Sequence, residues 1–240
     1  MDAALTTIDA RTGNFLINSL ALERVSALDP ERISISPRFC PDRREVERFI
    51  NETYARAYGS VINTHYPTIM SAQNRDEEIL AAVGFRDAAA ELLFLENYLD
   101  CPVEQALSEA LRQPVSRSSI VEIGNLASAG NGASALLFVA LASHLRDMGY
   151  RYAVVTATSV LRRGFRMMGF LPMALAKADQ TRLADGGAQW GSYYDRDPQV
   201  VAGAIAPWAD RLLTVMPRQD AGAFAANRPV IHTGLLERVA

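Results

Sequence analysis

Val121–Leu145 reads VEIGNLASAGNGASALLFVALASHL. It opens as a strand over Ser119–Leu126, SIVEIGNL, and closes as a helix over Ala133–Met148, with Leu137, Leu141, Leu145 and Met148 along one face. The junction AGNGAS holds five small residues and one asparagine. A strand that enters a helix through glycines exposes several backbone N–H groups, and the helix start adds a partial positive charge. Together they suit a phosphate or pyrophosphate. Ala127, Ser128, Ala129, Gly130, Gly132 and Ala133 let a ligand come close to the backbone. The same stretch also serves as a plain Gly-rich turn, with Asn131 or Ser134 capping the helix.

Outward from this junction the pattern keeps alternating. Tyr150–Thr158, YRYAVVTAT, carries a continuous apolar run and reads as a central strand. A short helix over Ser159–Met168 ends at Gly169-Phe170, and Leu171–Ala178 is a further strand. Upstream, Arg32–Phe39 alternates isoleucine with polar residues, as a half-buried strand does. Pro41-Asp42 then opens a helix whose Val46, Phe49, Ile50, Tyr54 and Ala57 share a face, and Gly59 ends it. Tyr66–Ala72 and Ile79–Arg86 form a hairpin across QNRDEE, followed by the largely helical insertion ELLFLENYLDCPVEQALSEALRQ. WGSYYDRDPQVVAGAIAPWADRLL suggests a turn, then a helix or strand, then a tail. The order predicts an α/β fold of the α+β kind, a mixed central sheet with helices on both faces. Residues 1–30, with a short helix near Phe15–Ala27, read as an N-terminal extension, 31–205 as one domain and 206–240 as a C-terminal extension.

Composition removes several function classes. The chain has 240 residues, 49% hydrophobic and 21% charged, enough for a sizeable core, and a net charge of −3 gives no footprint for nucleic acid. Lys177 is the only lysine, so Schiff-base chemistry has one candidate. Cys40 and Cys101 lack C-x-x-C spacing, which fits a reducing compartment without a structural disulfide or zinc. No His/Cys/Asp/Glu grouping has metal-ligand spacing, and no G-x-S-x-G elbow occurs. The opening MDAALTTIDARTGNFLINSL lacks the basic and apolar regions of a signal peptide, and ASALLFVALAS is too short to span a membrane, so a cytoplasmic location is expected.

Strand, Gly loop, helix, strand, then LRRGFRMMGF and another strand resembles the core of the GNAT acyltransferases. That resemblance implies a fourth strand splayed from the fifth and a pyrophosphate loop after the fourth strand. The usual Gln/Arg-x-x-Gly-x-Gly/Ala fingerprint is met at Gly130 and Gly132, with Ala127 at the Gln/Arg position. Phe165 in GFRMMGF occupies the place where a tyrosine often donates a proton.

Over roughly residues 30–205 the chain resembles the thermostable hemolysin family, through NTHYP (Asn63–Pro67), LFLENYLDCPVE (Leu93–Glu104), VEIGNLAS (Val121–Ser128), TATSVLRRGFRMMGF (Thr156–Phe170) and WGSYY (Trp190–Tyr194). It is more distantly similar to the acyl-homoserine lactone synthases. The resemblance implies a GNAT-like fold and an N-acyltransferase. Such an enzyme moves a fatty acyl group from acyl-CoA, or from the phosphopantetheine of acyl carrier protein, to a small amine or amino acid in a biosynthetic pathway. The implied partners are that acceptor and acyl carrier protein.

Acyl transfer to an amine needs a held thioester, a base and an oxyanion donor. The resemblance puts the carrier on Leu126, Ser128, Gly130, Asn131, Gly132 and Ala133, and the oxyanion donor on the backbone from Asn125 to Ser128. Glu122, an acid inside the apolar strand VEIGNL, is the first candidate base; a buried ion pair with Arg117 or Arg86 explains it equally well. His65 in NTHYP is the second candidate base, or a structural histidine. His144 and His232 read as packing or surface residues. Glu96, Asp100 and Glu104 form an acidic cluster suited to a cationic acceptor or to a solvated helix face. Arg86, Arg117, Thr158 and Tyr194 complete the candidate substrate contacts, Tyr193 and Tyr194 either lining an acyl pocket or ending a strand. Ala127 and Phe165 favour an alternative, a non-enzymatic lipid-binding or toxin-like protein on the same fold. A pore is not expected, because neither a spanning helix nor the alternating strands of a membrane barrel can be read.

Overall fold

The computed structural model describes residues 30–130, 133–215 and 230–231. The expected helix near Phe15–Ala27 lies outside them. Strands β1 (Pro30–Pro37), β2 (Thr68–Asn74), β3 (Ile79–Asp87), β4 (Ile120–Ser128), β5 (Tyr152–Ala157), β6 (Met173–Lys177), β7 (Gln199–Ala204) and β8 (Val230–Ile231) make one sheet in the order β6-β7-β5-β4-β3-β2-β1-β8. The β4/β5 and β1/β8 pairs are parallel and the other pairs antiparallel. The helices are α1 (Arg43–Tyr58), α2 (Val103–Leu111), α3 (Ala133–Asp147), α4 (Ser159–Met167) and α5 (Ile205–Val215).

Alternation along each strand sends its side chains to two cores. Val121 and Ile123 of β4 join Val83, Phe85, Leu137, Leu141 and Phe165 on the face covered by α3, α4 and α5. Ile120 turns the other way and packs with Val154, Val200 and Leu107 beneath α2 and the 3-10 turn Phe94–Tyr98. On that same side α1 lays Val46 and Ile50 on Ile69, Ala82 and Ala127. Arg43 fastens α1: its buried guanidinium donates to the carbonyls of Ser36, Tyr66 and Pro67 and to Glu47.

Two departures from the sequence reading matter. The stretch after Trp190 supplies both a 3-10 segment, Ala188–Arg196, and β7, which is inserted between β5 and β6 and runs antiparallel to both. Past residue 205 the chain continues as α5, whose Trp208 and Ala209 are buried in the core, where the sequence reading had a tail.

The strand pair at the centre is splayed. β4 pairs with β5 only where Ile120–Ile123 meets Tyr152–Val155, yet it stays on β3 as far as Ser128. The β3/β4 register shifts between Ala82 and Gly84, and Asn125 takes the left-handed conformation at φ 48°. A bulge bends one strand away from its neighbour. The result is a gap between the outer half of β4 and the end of β5.

Candidate active site at the strand split

Two cavities open into this gap, of about 550 Å³ and about 510 Å³. Tyr54, Ile123, Gly124, Thr156 and Tyr193 line both, so the two chambers meet at one seam across the sheet. The first chamber has apolar walls of Phe138, Phe165, Met168, Phe170 and Trp208, and it reaches Leu126 on β4 and Ser134 at the start of α3. One exposed arginine, Arg196, lines it, and Val160, Leu161 and Gly164 of α4 form part of its wall. The second chamber is walled by Phe94, Tyr98, Trp190 and Tyr194, with Asn63, Thr64, Asn97, Asn125, Gln189 and Arg86 as polar contacts. Rings run in contact through Phe94, Trp190, Tyr193, Tyr58 and Tyr54, each 5.3–5.7 Å from the next and tilted, with Tyr193 and Tyr58 meeting edge to face.

Glu122 lies beside the seam without lining either chamber. It is 1% exposed, and its carboxylate accepts the backbone N–H of Phe94 at 3.0 Å and of Leu95 at 2.9 Å. The Tyr66 hydroxyl interacts with it as well, and Arg86 Nε stands 3.2 Å from Oε2, close enough for charge pairing but off-line for a hydrogen bond. Burial pushes the Glu122 carboxyl up, while Arg86, the two N–H groups and Tyr66 pull it back. The net effect leaves the carboxyl above its ordinary value, with burial the largest cause. The buried pair expected of Glu122 is with Arg86, not Arg117. Arg86 in turn stacks on the Tyr66 ring at 4.2 Å. That ring lies across the paired glycines Gly84 and Gly124, and a Cβ on either would run into it.

Arg117 is spent elsewhere, on Glu96 at 2.6 Å and Glu104 at 2.7 Å. Burial pushes the Glu96 carboxyl up, but hydrogen bonds from Arg117, Val103 N–H and Leu93 N–H outweigh it and hold it at about 2. Asp100 is an exposed partner of Arg182 at 2.7 Å. The acidic cluster read from sequence is thus neutralised by its own arginines, although Glu96 still lines the second chamber.

His65 is turned toward α1, where Nε2 lies 2.8 Å from Asn51 Oδ1 and Nδ1 3.8 Å from Glu47. Burial lowers its pKa against the pull of Glu47, and it lines neither chamber. Asn125 lines the second chamber, its Oδ1 accepting the Tyr66 N–H at 3.0 Å. Thr158 caps α4 through Leu161 N–H and lines the first chamber; Tyr194 lines the second, its hydroxyl 2.6 Å from that of Tyr98.

In the Gly loop, Ser128 Oγ accepts the Gly130 N–H at 3.1 Å, Gly130 has φ 98°, and Ala133 is buried; Asn131 and Gly132 lie outside the described residues. Ala127 is buried against α1, so the position where the fingerprint has Gln or Arg cannot face a carrier.

Sequence reasoning missed Tyr54, Tyr66, Trp190 and Arg43. Tyr54 and Tyr58 stand i, i+4 on the apolar face of α1, and two hydroxyls inside a core stripe were the available signal.

The thermostable hemolysin family matches over residues 38–207. No match was found among curated proteins. Among solved structures, the chain is similar to FeeM, an N-acyl amino acid synthase from uncultured soil microbes, at TM-score 0.53 and 16% identity, covering 78% of this chain and 98% of that one. The acyl-homoserine lactone synthase LasI gives TM-score 0.52 at 14% identity, with the same 78% and 98% coverage. BjaI, a CoA-dependent acyl-homoserine lactone synthase bound to SAM and isopentyl-CoA, gives 0.51 at 13%, covering 81% and 98%. At these identities the likeness is one of fold.

Proposed function

We propose that this chain, which belongs to the thermostable hemolysin family, is an N-acyltransferase that moves a fatty acyl group from a thioester carrier to a small amino acid or related amine. The observation that carries the reading is the seam: two chambers on opposite sides of the β4/β5 split share Tyr54, Ile123, Gly124, Thr156 and Tyr193. A transfer between two bound molecules needs such a meeting point, with the reacting atoms held about 3 Å apart. The first chamber suits the donor. Its apolar wall fits an acyl chain, and Arg196 and the nearby start of α3 fit the phosphates of coenzyme A or of a carrier's phosphopantetheine. The second chamber suits the acceptor, with Arg86 placed for a carboxylate and the amide side chains for neighbouring polar groups. The names of FeeM and BjaI, an amino acid acylating synthase and a CoA-dependent one, support both halves.

Glu122 and His65 do not reach the chambers, which favours a second reading in which the first chamber holds lipid without transferring it. Thiol release decides. Octanoyl-CoA and octanoyl acyl carrier protein are each mixed with the protein and a panel of amino acids, and free thiol and N-octanoyl product are measured. The proposal expects the two in equal amounts with at least one carrier. Octanoyl thioester that binds but stays intact with every acceptor would establish the lipid-binding reading instead.

A further inference from the structure

We propose that the Thr156 hydroxyl carries the proton from the attacking amine to the departing thiol, as a catalytic residue at the seam for the acyl transfer on which this inference rests. Thr156 lines both chambers, and its Oγ1 is buried with no hydrogen-bond partner among the described residues. A buried hydroxyl left unpaired costs stability, so its presence in a packed strand needs a reason. A bound molecule at the meeting point of the two chambers supplies one. Ile123 and Gly124, which also line both, bring no polar side chain, and the Tyr193 hydroxyl already donates to the Thr156 carbonyl at 3.1 Å.

β5 sets this hydroxyl on the acceptor side of the split. β4 pairs with β5 no further than Ile123 and Val155, so Thr156 is the first residue of β5 beyond that pairing. Val155 packs in the core under α3, α4 and α5, and Val154 in the core under α2. Alternation turns Thr156 to the Val154 side, where the second chamber lies. Its backbone is fixed by pairing with Val200 of β7 and by the Tyr193 hydroxyl on its carbonyl. A group held in this way is in place before two substrates arrive.

The chambers offer no ordinary base at the seam. Glu122 and His65 line neither of them, and burial pushes the Tyr54 and Tyr193 hydroxyls up. Glu96, which lines the second chamber, sits at about 2, too weak a base to take a proton from an amine. A hydroxyl can move a proton without gaining or losing charge. The amine enters as its neutral fraction and attacks the carbonyl carbon. A C–N bond forms, and the carbonyl π electrons move to oxygen. Nitrogen then gives a proton to Thr156 Oγ1 as Oγ1 gives its own to sulfur. The C=O bond re-forms and C–S breaks, leaving amide, thiol and an unchanged threonine.

Thr156→Val, Thr156→Ser and Tyr54→Phe are to be compared with wild type by single-turnover transfer, from whichever of octanoyl-CoA and octanoyl acyl carrier protein the wild type uses. Thr156→Val keeps the shape and should lower the transfer rate about 10²–10⁴-fold, the share of a positioned proton transfer, with thioester binding unchanged. Thr156→Ser, which keeps a hydroxyl, should retain most of the rate. Thr156→Val should also melt at or above wild type, because it removes an unpaired buried hydroxyl. In mixtures of light and heavy water the wild-type rate should follow a curve, as two protons move together, and the Thr156→Val rate a straight line. Tyr54→Phe should keep the curve. An unchanged rate in Thr156→Val, a straight wild-type plot, or a curve lost in Tyr54→Phe instead would overturn the proposal. So would a Thr156→Val that melts well below wild type, which would give the hydroxyl a structural part. A wild type that binds either thioester and never releases thiol overturns the acyl-transfer reading itself, a result distinct from these.

Discussion

Glu122→Gln separates an anchoring carboxylate from a catalytic one. The wild-type side chain is 1% exposed and receives Phe94 N–H and Leu95 N–H, with the Tyr66 hydroxyl and the Arg86 guanidinium beside it. Glutamine keeps the shape but offers one acceptor oxygen in place of two, and its NH2 must face a donor. A stranded buried donor costs about 1–3 kcal/mol. Arg86 also loses its anion, and breaking a buried pair costs about 3–5 kcal/mol. The two costs overlap, so the expected loss is about 3–5 kcal/mol. That is a large share of a total stability of about 5–15 kcal/mol. With a urea dependence of about 2 kcal/mol per molar, the midpoint should fall by about 2 M. Arg86→Gln completes a cycle: if the pair is the source of the cost, the double variant should be less destabilised than the sum by about 1–3 kcal/mol. A loss below about 1 kcal/mol, or strict additivity, would refute this reasoning.

Gly124→Ala puts a methyl into the Tyr66 ring and should cost about 1–3 kcal/mol by thermal melting, whereas Gly164→Ala, with open space around its Cβ inside α4, should be neutral or stabilising. Glu96 sits at about 2 when folded, below its ordinary 4.5, so its contribution is present above about pH 4.5 and is lost as pH falls toward 2. Glu96→Gln should therefore be least stable relative to wild type near neutrality, with the gap closing between about pH 5 and pH 2 in acid titrations of unfolding. Cys40→Ser combined with Cys101→Ser should melt within a few degrees of wild type, with or without reductant, because both thiols are free. A collapse that reductant reproduces in wild type would point to an oxidised protein.

The fold was legible where periodicity and punctuation agreed. Val121–Leu145 switches from strand to helix at its glycines, and Gly59 and Pro41-Asp42 bracket α1. β7 was not, because QVVAGA is short, and its antiparallel insertion between β5 and β6 is a fact of topology that no local pattern encodes. Glu122 was correctly singled out as an acid needing a reason. Its partner could not be chosen, since Arg86 lies directly across β3 while Arg117 is nearer in sequence, and register alone decides between them. The partners of Glu96, Asp100 and Glu104 were out of reach for a related reason. Helical spacing places acids on a face, but only the tertiary fold brings Arg117 and Arg182 to neutralise them. His65 was drawn to the right loop and the wrong direction, as its ring turns to Asn51 and Glu47 rather than inward.

The two positions that depart from the GNAT pattern, Ala127 and Phe165, look in sequence like lost function. In the fold each has a packing consequence that bears on the seam. Ala127 is 2% exposed and sits under Val46 and Ile50, so the small side chain lets α1 lie close on the outer half of β4. A glutamine or arginine there would hold the helix off, since a buried interface has no slack for the extra atoms. That close approach sets Tyr54 of α1 against the seam, where it lines both chambers. Phe165, 4% exposed, stacks with Phe138 and Phe170 and makes the donor-side wall apolar where a tyrosine would have brought a hydroxyl. The phenol absent from α4 is present on α1, facing the same seam from the other side of the sheet.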